Sequence, residues 1–125
     1  MLIVDDEPSI GGALRRLLAA DHEVSVVQSG TAALAAFRAG STFDVVLCDV
    51  MMPGLNGIEL YDATREAFPR QHERFIFMTG GIFAEPASSF FASIPNPVLE
   101  KPFSFGAVRG MLAGFVESQE RARSA

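Results

Sequence analysis

Five polar or charged residues stand where successive apolar runs of the chain end. Asp5 and Asp6 follow the first run, Asp49 the third, Thr79 the fourth and Lys101 the fifth. Carboxylates that are brought together repel one another unless a cation lies between them, and Mg²⁺ prefers oxygen ligands of this kind. These residue types therefore indicate a divalent metal site with a hydroxyl and an ammonium group beside it.

Phosphoryl transfer is the chemistry that such a set of groups would serve. Negative charge develops on three equatorial phosphoryl oxygens, so the reaction needs positioning and positive charge. We expect Mg²⁺ to neutralise one oxygen, the ammonium of Lys101 a second, and the Thr79 hydroxyl with backbone N–H groups the third. Asp49 is the predicted nucleophile, which would form an acyl phosphate. We expect Asp6, Asp49 and the carbonyl of Met51 to bind Mg²⁺ directly, with Asp5 acting through a water molecule.

The elements that must position these residues alternate between strands and helices. The predicted strands are Leu2-Ile3-Val4, Val24 to Val27, Phe43 to Cys48, Arg74 to Met78 and Val98-Leu99. These runs show little polar alternation, which is typical of parallel strands that are buried on both faces. Ligand sites in open parallel sheets lie beyond the carboxyl ends of the strands. The sequence thus predicts five βα units, an α/β doubly wound sandwich, with its site at that rim.

Four of the predicted helices carry an apolar side, and Ser29 and Ser104 are the predicted N-caps of the second and the fifth. The apolar sides are Ile10, Leu14, Leu17 and Leu18; Leu34 and Phe37; Leu60, Thr64, Ala67 and Phe68, in a helix from about Ile58; and Phe105, Val108, Leu112 and Phe115. The segment Ala84 to Ser93 is the poorest helix of the five, because serines, adjacent phenylalanines and flanking prolines disfavour it.

The composition indicates one small domain. The chain has 125 residues and a formal net charge of -5, which argues against direct nucleic-acid binding. The single cysteine, Cys48, lies in an apolar run and is expected in the core. No stretch is long and apolar enough for a membrane span, so a cytoplasmic location is the default expectation. We expect the domain to cover residues 1–118, with a polar tail at 119–125.

Four segments resemble the receiver domains of response regulators in two-component signalling: Val4 to Pro8, Leu47 to Gly54, Met78 to Gly81 and Glu100 to Phe103. The resemblance implies a flavodoxin-like (βα)5 fold, a five-stranded parallel sheet of order 2-1-3-4-5. It also implies that Asp49 is phosphorylated, that Asp5 and Asp6 belong to the metal site, and that Thr79 and Lys101 sense the phosphoryl group. The bond between Lys101 and Pro102 would be cis.

The same resemblance implies the partners. The phosphoryl donor would be a phosphohistidine on a sensor histidine kinase or a histidine phosphotransfer domain. The segments Asn96 to Phe103 and Met78 to Gly81 look most like receivers that are joined to hybrid histidine kinases. A homodimer or kinase interface through helix 4, strand 5 and helix 5 is a further hypothesis, and Phe83, Phe90 and Phe91 are candidates for a partner surface. The domain would catalyse its own phosphorylation and slow dephosphorylation, and would not be an enzyme in the ordinary sense.

Two other functions stay open at this point. A pseudo-receiver that only binds proteins is favoured by Val98, because receivers often carry Tyr or Phe three residues before the lysine. A phosphatase of the haloacid dehalogenase type would need a second aspartate two residues after the nucleophile, where this chain has Met51. His22 and His72 stand among charged residues and are interpreted as surface residues.

Overall fold

Five short segments pair into one parallel sheet with helices on both of its faces. The computed structural model describes residues 1–80, 87–102 and 104–124. The elements are β1 (Leu2–Val4), α1 (Pro8–Leu18), β2 (Ser25–Val27), α2 (Gly30–Arg38), β3 (Val46–Asp49), α3 (Gly57–Ala67), β4 (Phe75–Thr79), α4 (Ala87–Ser93), β5 (Val98–Glu100) and α5 (Phe105–Ser124), with a 3₁₀ turn at His72–Arg74 before β4.

The strand order is β2-β1-β3-β4-β5, and all neighbouring strands run parallel. This confirms the predicted flavodoxin-like sheet. The order reverses at β1, whose Ile3 lies between Val26 of β2 and Leu47 of β3. The rim at the carboxyl ends of β1 and β3 is therefore the position where a ligand site is expected in such a sheet.

Each face of the sheet has its own apolar core. The strand β4 shows the division most clearly, because Phe75 and Phe77 join the layer under α2 and α3, whereas Ile76 and Met78 join the layer under α1 and α5. All four side chains are fully buried. Alternating side chains of one strand thus serve two cores, which explains why the strands read as continuous apolar runs.

Side-chain caps fix the starts of three helices. Ser29 accepts a hydrogen bond from the Ala32 N–H at 3.0 Å, and Ser104 accepts one from the Ala107 N–H at 3.1 Å. Both caps were predicted. The cap of α3 was not: Asn56 and Glu59 form a capping box, with bonds of 2.9 and 3.1 Å between each side chain and the other residue's N–H. The box starts α3 at Gly57, one residue before the predicted start.

The third strand is shorter than predicted. It begins at Val46, whereas the apolar run suggested Phe43. The Gln71 side chain accepts a hydrogen bond from the Phe43 N–H and donates one to the Phe43 carbonyl, both at 3.0 Å. Because these bonds satisfy both the N–H and the carbonyl of Phe43, the residue does not need hydrogen bonds from a neighbouring strand.

Three further details differ from the sequence predictions. Ala67 is exposed, so it does not belong to the buried side of α3. Phe105, on the first turn of α5, is 57% exposed, and only Val108, Leu112 and Phe115 of its stripe are buried. The last helix continues through Ser124 and crosses the predicted start of the tail at residue 119. The division into a domain and a tail stays a prediction.

The fourth helix was predicted over Ala84 to Ser93, and its described part begins at Ala87. Residues 84–86 and Phe83 lie outside the described residues. Phe90 and Phe91 are half-buried against the core and are not free surface residues. Among the described helices, none combines the length and apolar character that crossing a membrane requires.

Candidate functional site

The carboxyl ends of β1 and β3 bring three aspartates together. One carboxylate oxygen from each of Asp5, Asp6 and Asp49 lies within 4.8 Å of the other two. Asp5 is fully buried, Asp49 is 5% exposed and Asp6 is half-buried. Solvent therefore reaches the cluster mainly at Asp6.

Lys101 lies across two of these carboxylates. Its Nζ is 3.6 Å from Asp5 Oδ2 and 3.5 Å from Asp49 Oδ1. The backbone N–H of Lys101 donates to the carbonyl of Thr79 at 2.6 Å, which anchors the end of β5 to the end of β4. The Lys101–Pro102 bond is cis, as predicted. One ammonium group thus contacts two of the three clustered carboxylates.

The charge balance of the cluster fits a divalent cation. The Oδ1 atom of Asp5 accepts a hydrogen bond from the Glu7 N–H at 2.9 Å, but its buried Oδ2 has no hydrogen-bond partner among the described residues. Burial raises the pKa of Asp49, Lys101 opposes this rise, and the negative charge of Asp5 adds to it. The carboxylates are thus incompletely neutralised by the protein. Oxygen donors in this state are a suitable environment for Mg²⁺.

Thr79 and Met51 complete the predicted set. Thr79 is buried at the end of β4 and pairs in register with Glu100, the neighbour of Lys101. Met51 is 76% exposed, and its backbone hydrogen bond to Asp49 lowers the carboxyl pKa. All the predicted site residues therefore lie at one rim. The metal-binding carbonyl of Met51 stays a prediction.

Gly57 is a residue of the site that the sequence analysis missed. A Cβ atom built at this position would lie 2.6 Å from the Asp49 carbonyl oxygen and 2.9 Å from Val50 Cα. The Gly57 N–H donates to the Val50 carbonyl at 3.0 Å. The start of α3 thus lies directly against the end of β3. Only a residue without a side chain permits this approach, and the Asn56-Gly57 pair is the sequence feature that could have indicated it.

The outer edge of the site is apolar. Met51 and Phe105 are the large hydrophobic residues exposed in the described part of the chain. Met51 follows Asp49 by two residues, and Phe105 lines a cavity together with Lys101. A cavity of about 490 Å³ next to Lys101 is lined by Ile10, Ala13 and Phe105 among others. Exposed apolar side chains next to a charged site are suited to contact with another protein.

The remaining candidates lie away from this chemistry or are inert. Cys48 is fully buried, and its thiol donates to the Asp49 carbonyl at 3.4 Å. Burial raises the pKa of this thiol, and the charges of Asp49 and Asp5 raise it further, which confirms a core role. His72 packs against Tyr61, with ring centroids 5.6 Å apart. The described part of the chain places neither histidine in a group that could hold a metal ion.

Comparison of the sequence with known protein families gives a match over residues 1–113 to the family described as "Response regulator receiver domain". The chain is 26% identical over 121 residues to the aerobic respiration control sensor protein ArcB of Escherichia coli K12, covering 96% of this chain and 15% of that protein. It is 41% identical over 69 residues to the hydrogenase transcriptional regulatory protein HoxA of Cupriavidus necator, covering 55% of this chain and 14% of that protein. The chain thus spans about a seventh of these relatives.

Solved structures agree with the sequence matches. The chemotaxis protein CheY4 of Vibrio cholerae superimposes with a TM-score of 0.77 at 29% identity, over 91% of this chain and 95% of that one. The similarity therefore extends over nearly all of the fold.

Proposed function

The chain belongs to the response regulator receiver domain family of two-component systems, and we propose that Asp49 is its phosphoryl acceptor. The observation that supports this most directly is the contact of Lys101 Nζ with Asp49 Oδ1 at 3.5 Å, inside a cluster of carboxylates. A lysine that already faces the nucleophile is placed to meet the charge of an incoming phosphoryl group. The proposed donor is a phosphohistidine on a sensor histidine kinase or a histidine phosphotransfer domain.

The proposed reaction exchanges a P–N bond for a P–O bond. A lone pair on a carboxylate oxygen of Asp49 forms the new bond to phosphorus, and the electrons of the P–N bond return to the imidazole nitrogen. The products are an aspartyl phosphate and a histidine that takes up a proton as required by the pH. Lys101 and the Thr79 hydroxyl stabilise the equatorial oxygens of the transferred group.

Mg²⁺ is the proposed cofactor. Asp6, Asp49 and the Met51 carbonyl would hold it, with Asp5 acting through water. When bound, it would neutralise carboxylate and phosphoryl charge. The chain's own contribution is to orient Asp49 and to bury the carboxylates, because Asp5 is fixed by the Glu7 N–H and Asp49 by the approach of Gly57.

The apolar border of the site is the proposed contact surface for the phosphoryl donor. Met51 and Phe105 are exposed on it, and the cavity beside Lys101 is lined by side chains of α1 and α5. A homodimer through α4, β5 and α5 is retained as a separate proposal. A cytoplasmic location accords with a phosphoryl donor of this kind, and it too belongs to the proposal.

Slow loss of the phosphoryl group is the expected fate of the aspartyl phosphate. The residue two positions after Asp49 is Met51, whose thioether carries no proton to transfer. Rapid turnover of added phosphate esters would therefore contradict this function and would favour a phosphatase.

The proposal is tested by intact mass spectrometry after incubation with acetyl phosphate. We expect one phosphate adduct on the native chain, its formation to require Mg²⁺, and its loss in Asp49→Asn. Asp62→Asn is the matched control, because Asp62 is an exposed carboxylate on α3 outside the site. The control variant should be phosphorylated like the native chain.

No adduct on the folded native chain under any condition would overturn the proposal. It would leave the pseudo-receiver, a domain that acts only through protein contacts. An adduct that persists in Asp49→Asn would show instead that another residue is the acceptor.

A further inference from the structure

A cleft lies at the amino ends of β3 and β4, on the rim of the sheet opposite Asp49. Its volume is about 670 Å³, and it is formed by two stretches of chain, residues 37–44 and 67–74, which lead into these strands. Clefts of this size are typical of binding sites. Among the described residues that line it, none belongs to the proposed phosphorylation site.

Three arginines give this cleft a positive charge. Arg38 ends α2, Arg70 lies in the turn after α3, and the half-buried Arg74 directly precedes β4. In the described part of the chain, none of the three forms an ion pair within 4.0 Å. The carboxyl ends of α2 and α3 contribute about half a negative charge each, and Asp44 one more, so a net charge of about +1 remains. The domain as a whole carries -5.

Arg70 is held in a backbone conformation that arginine rarely adopts. Its φ is +88°, and no other non-glycine residue in the described ranges has a positive φ. The Gln71 N–H donates to the Phe68 carbonyl at 3.1 Å, which closes a four-residue turn with Pro69 and Arg70 at its centre. Glycine or asparagine suits the third position of such a turn better than arginine. The turn alone therefore does not explain an arginine here, which points to a use of its side chain.

The floor of the cleft is aromatic, and its two walls are joined. The buried Phe37 contacts Phe43 and Phe68 with ring centroids 6.1 Å apart in each pair, and the latter two rings are half-buried. The two hydrogen bonds between the Gln71 side chain and the Phe43 backbone hold the stretches together. A site that is already shaped loses little conformational entropy when a ligand binds.

We propose that this cleft binds an acidic segment of a partner protein, with its carboxylates on the arginines and an apolar side chain on Phe43 and Phe68. Guanidinium groups bind carboxylates through paired hydrogen bonds, and clustered arginines recur in the recognition of acidic motifs. A long polyanion such as a nucleic acid fits less well, because the net negative charge of the domain repels it. Binding at this rim leaves Asp49 accessible and does not depend on its phosphorylation.

The probe is a short peptide with blocked ends, in which four glutamates flank one leucine, added to the full chain without Mg²⁺. We expect the amide resonances of residues 38–44 and 68–74 to shift in ¹H–¹⁵N spectra, and the affinity to fall as salt is added. The same peptide with glutamines in place of the glutamates should leave these resonances unchanged. Equal shifts from both peptides, or none from the glutamate peptide, would overturn the proposal.

Arg70→Asn separates recognition from folding. Asparagine suits the turn, so the thermal midpoint should equal or exceed that of the native chain. The dissociation constant of the glutamate peptide should nevertheless rise at least about threefold, as expected for the loss of one exposed ion pair. Arg16→Gln is the matched control, because Arg16 is exposed on α1 and does not line the cleft. This control should bind the peptide as the native chain does.

Three further outcomes would contradict the proposal. Native affinity in Arg70→Asn would show that the arginine does not contact the peptide. Equal weakening in both variants would show that only the net charge of the domain matters. If inorganic pyrophosphate displaced the peptide at an equal or lower concentration, the cleft would be a site for small anions only. None of these results bears on Asp49, whose phosphorylation is tested separately by mass spectrometry.

Discussion

At the scale of single residues, the site is dominated by an imbalance of charge. Three carboxylates lie together, and one ammonium group contacts two of them, Asp5 and Asp49, which are both buried. Groups arranged in this way are selected for function at a cost in stability. The consequence can be measured without any partner protein.

Asp49→Asn is expected to stabilise the metal-free domain. Burial raises the pKa of Asp49 and Asp5 raises it further, so the net environment disfavours the charged form despite Lys101. A neutral amide of the same shape removes that penalty, and we expect a gain on the order of 0.5–2 kcal/mol in the free energy of unfolding. Urea denaturation without divalent ions measures it. Asp62→Asn should change stability by less than about 0.5 kcal/mol. A clear loss of stability in Asp49→Asn would contradict this account.

His72 gives the domain a pH dependence with a defined sign. Burial lowers its pKa below 6.5, Glu73 opposes this and Arg65 reinforces it. The unfolded chain therefore binds the proton more readily than the folded one, so stability is present above pH 6.5 and falls as the pH drops below it. Denaturation midpoints between pH 7.5 and 5.5 test this, with His72→Gln as the comparison. The slope with pH should be smaller in the variant, and an unchanged slope would show that His72 does not titrate on unfolding.

At the scale of elements, the close approach of α3 to the end of β3 positions Asp49, the proposed nucleophile. The backbone of Gly57 lies against the end of β3, whereas Gly110 on α5 has open space around it. Gly57 is thus closely packed, whereas Gly110 is not. The contrast between them yields a matched pair of substitutions.

Gly57→Ala should destabilise the domain by about 1–3 kcal/mol, because the added methyl group meets the Asp49 carbonyl and forces α3 away from β3. It should also slow phosphorylation of Asp49. Gly110→Ala should instead stabilise it by about 0.5–1 kcal/mol, since alanine favours the helix. Urea denaturation and adduct formation measure both. Equal effects of the two substitutions would show that the approach of Gly57 is unimportant.

Much of the element pattern could be predicted from sequence, because apolar runs and capping residues act locally. The order of strands and helices and the Ser29 and Ser104 caps follow from such signals. The start of β3 does not, since it depends on Gln71, which is 28 residues from Phe43. The exposure of Phe105 and Ala67 also depends on which residues of each helix the rest of the fold covers. Periodicity does not contain that information.

The candidate site was predictable for a different reason. Strand ends converge at one rim of any parallel sheet, so Asp5, Asp49 and Lys101 could be placed together before any distance was known. The contact of Lys101 with both carboxylates required the structure. Gly57 was not predicted because its role depends on having no side chain. The need for that becomes visible only when the backbone at Asp49 and Val50 is seen to pack against it.

At the scale of the whole molecule, both apolar cores are built on the same central sheet, because its strands contribute side chains to each of them. Cys48 lies fully buried in β3, between β1 and β4. A thiol at this position can be reached only when the domain opens globally.

We therefore expect Cys48 to react with an aromatic disulfide reagent at least about 10³-fold more slowly in the native domain than in urea. Stabilising substitutions such as Gly110→Ala should slow labelling further, and Gly57→Ala should accelerate it. The absorbance of the released thiolate follows the reaction. Rapid labelling of the native chain would reveal a local opening near Asp49.

The length of α5 has a mechanical consequence. The helix begins four residues after Lys101 and continues for 20 residues, a rod of about 30 Å. A rod pivots as a unit, so a small tilt of its first turn, near Lys101, would be enlarged into a displacement at its distal end. If Asp49 accepts a phosphoryl group as proposed, α5 would act as a lever against the sheet and would carry motion from that rim to the opposite side of the domain.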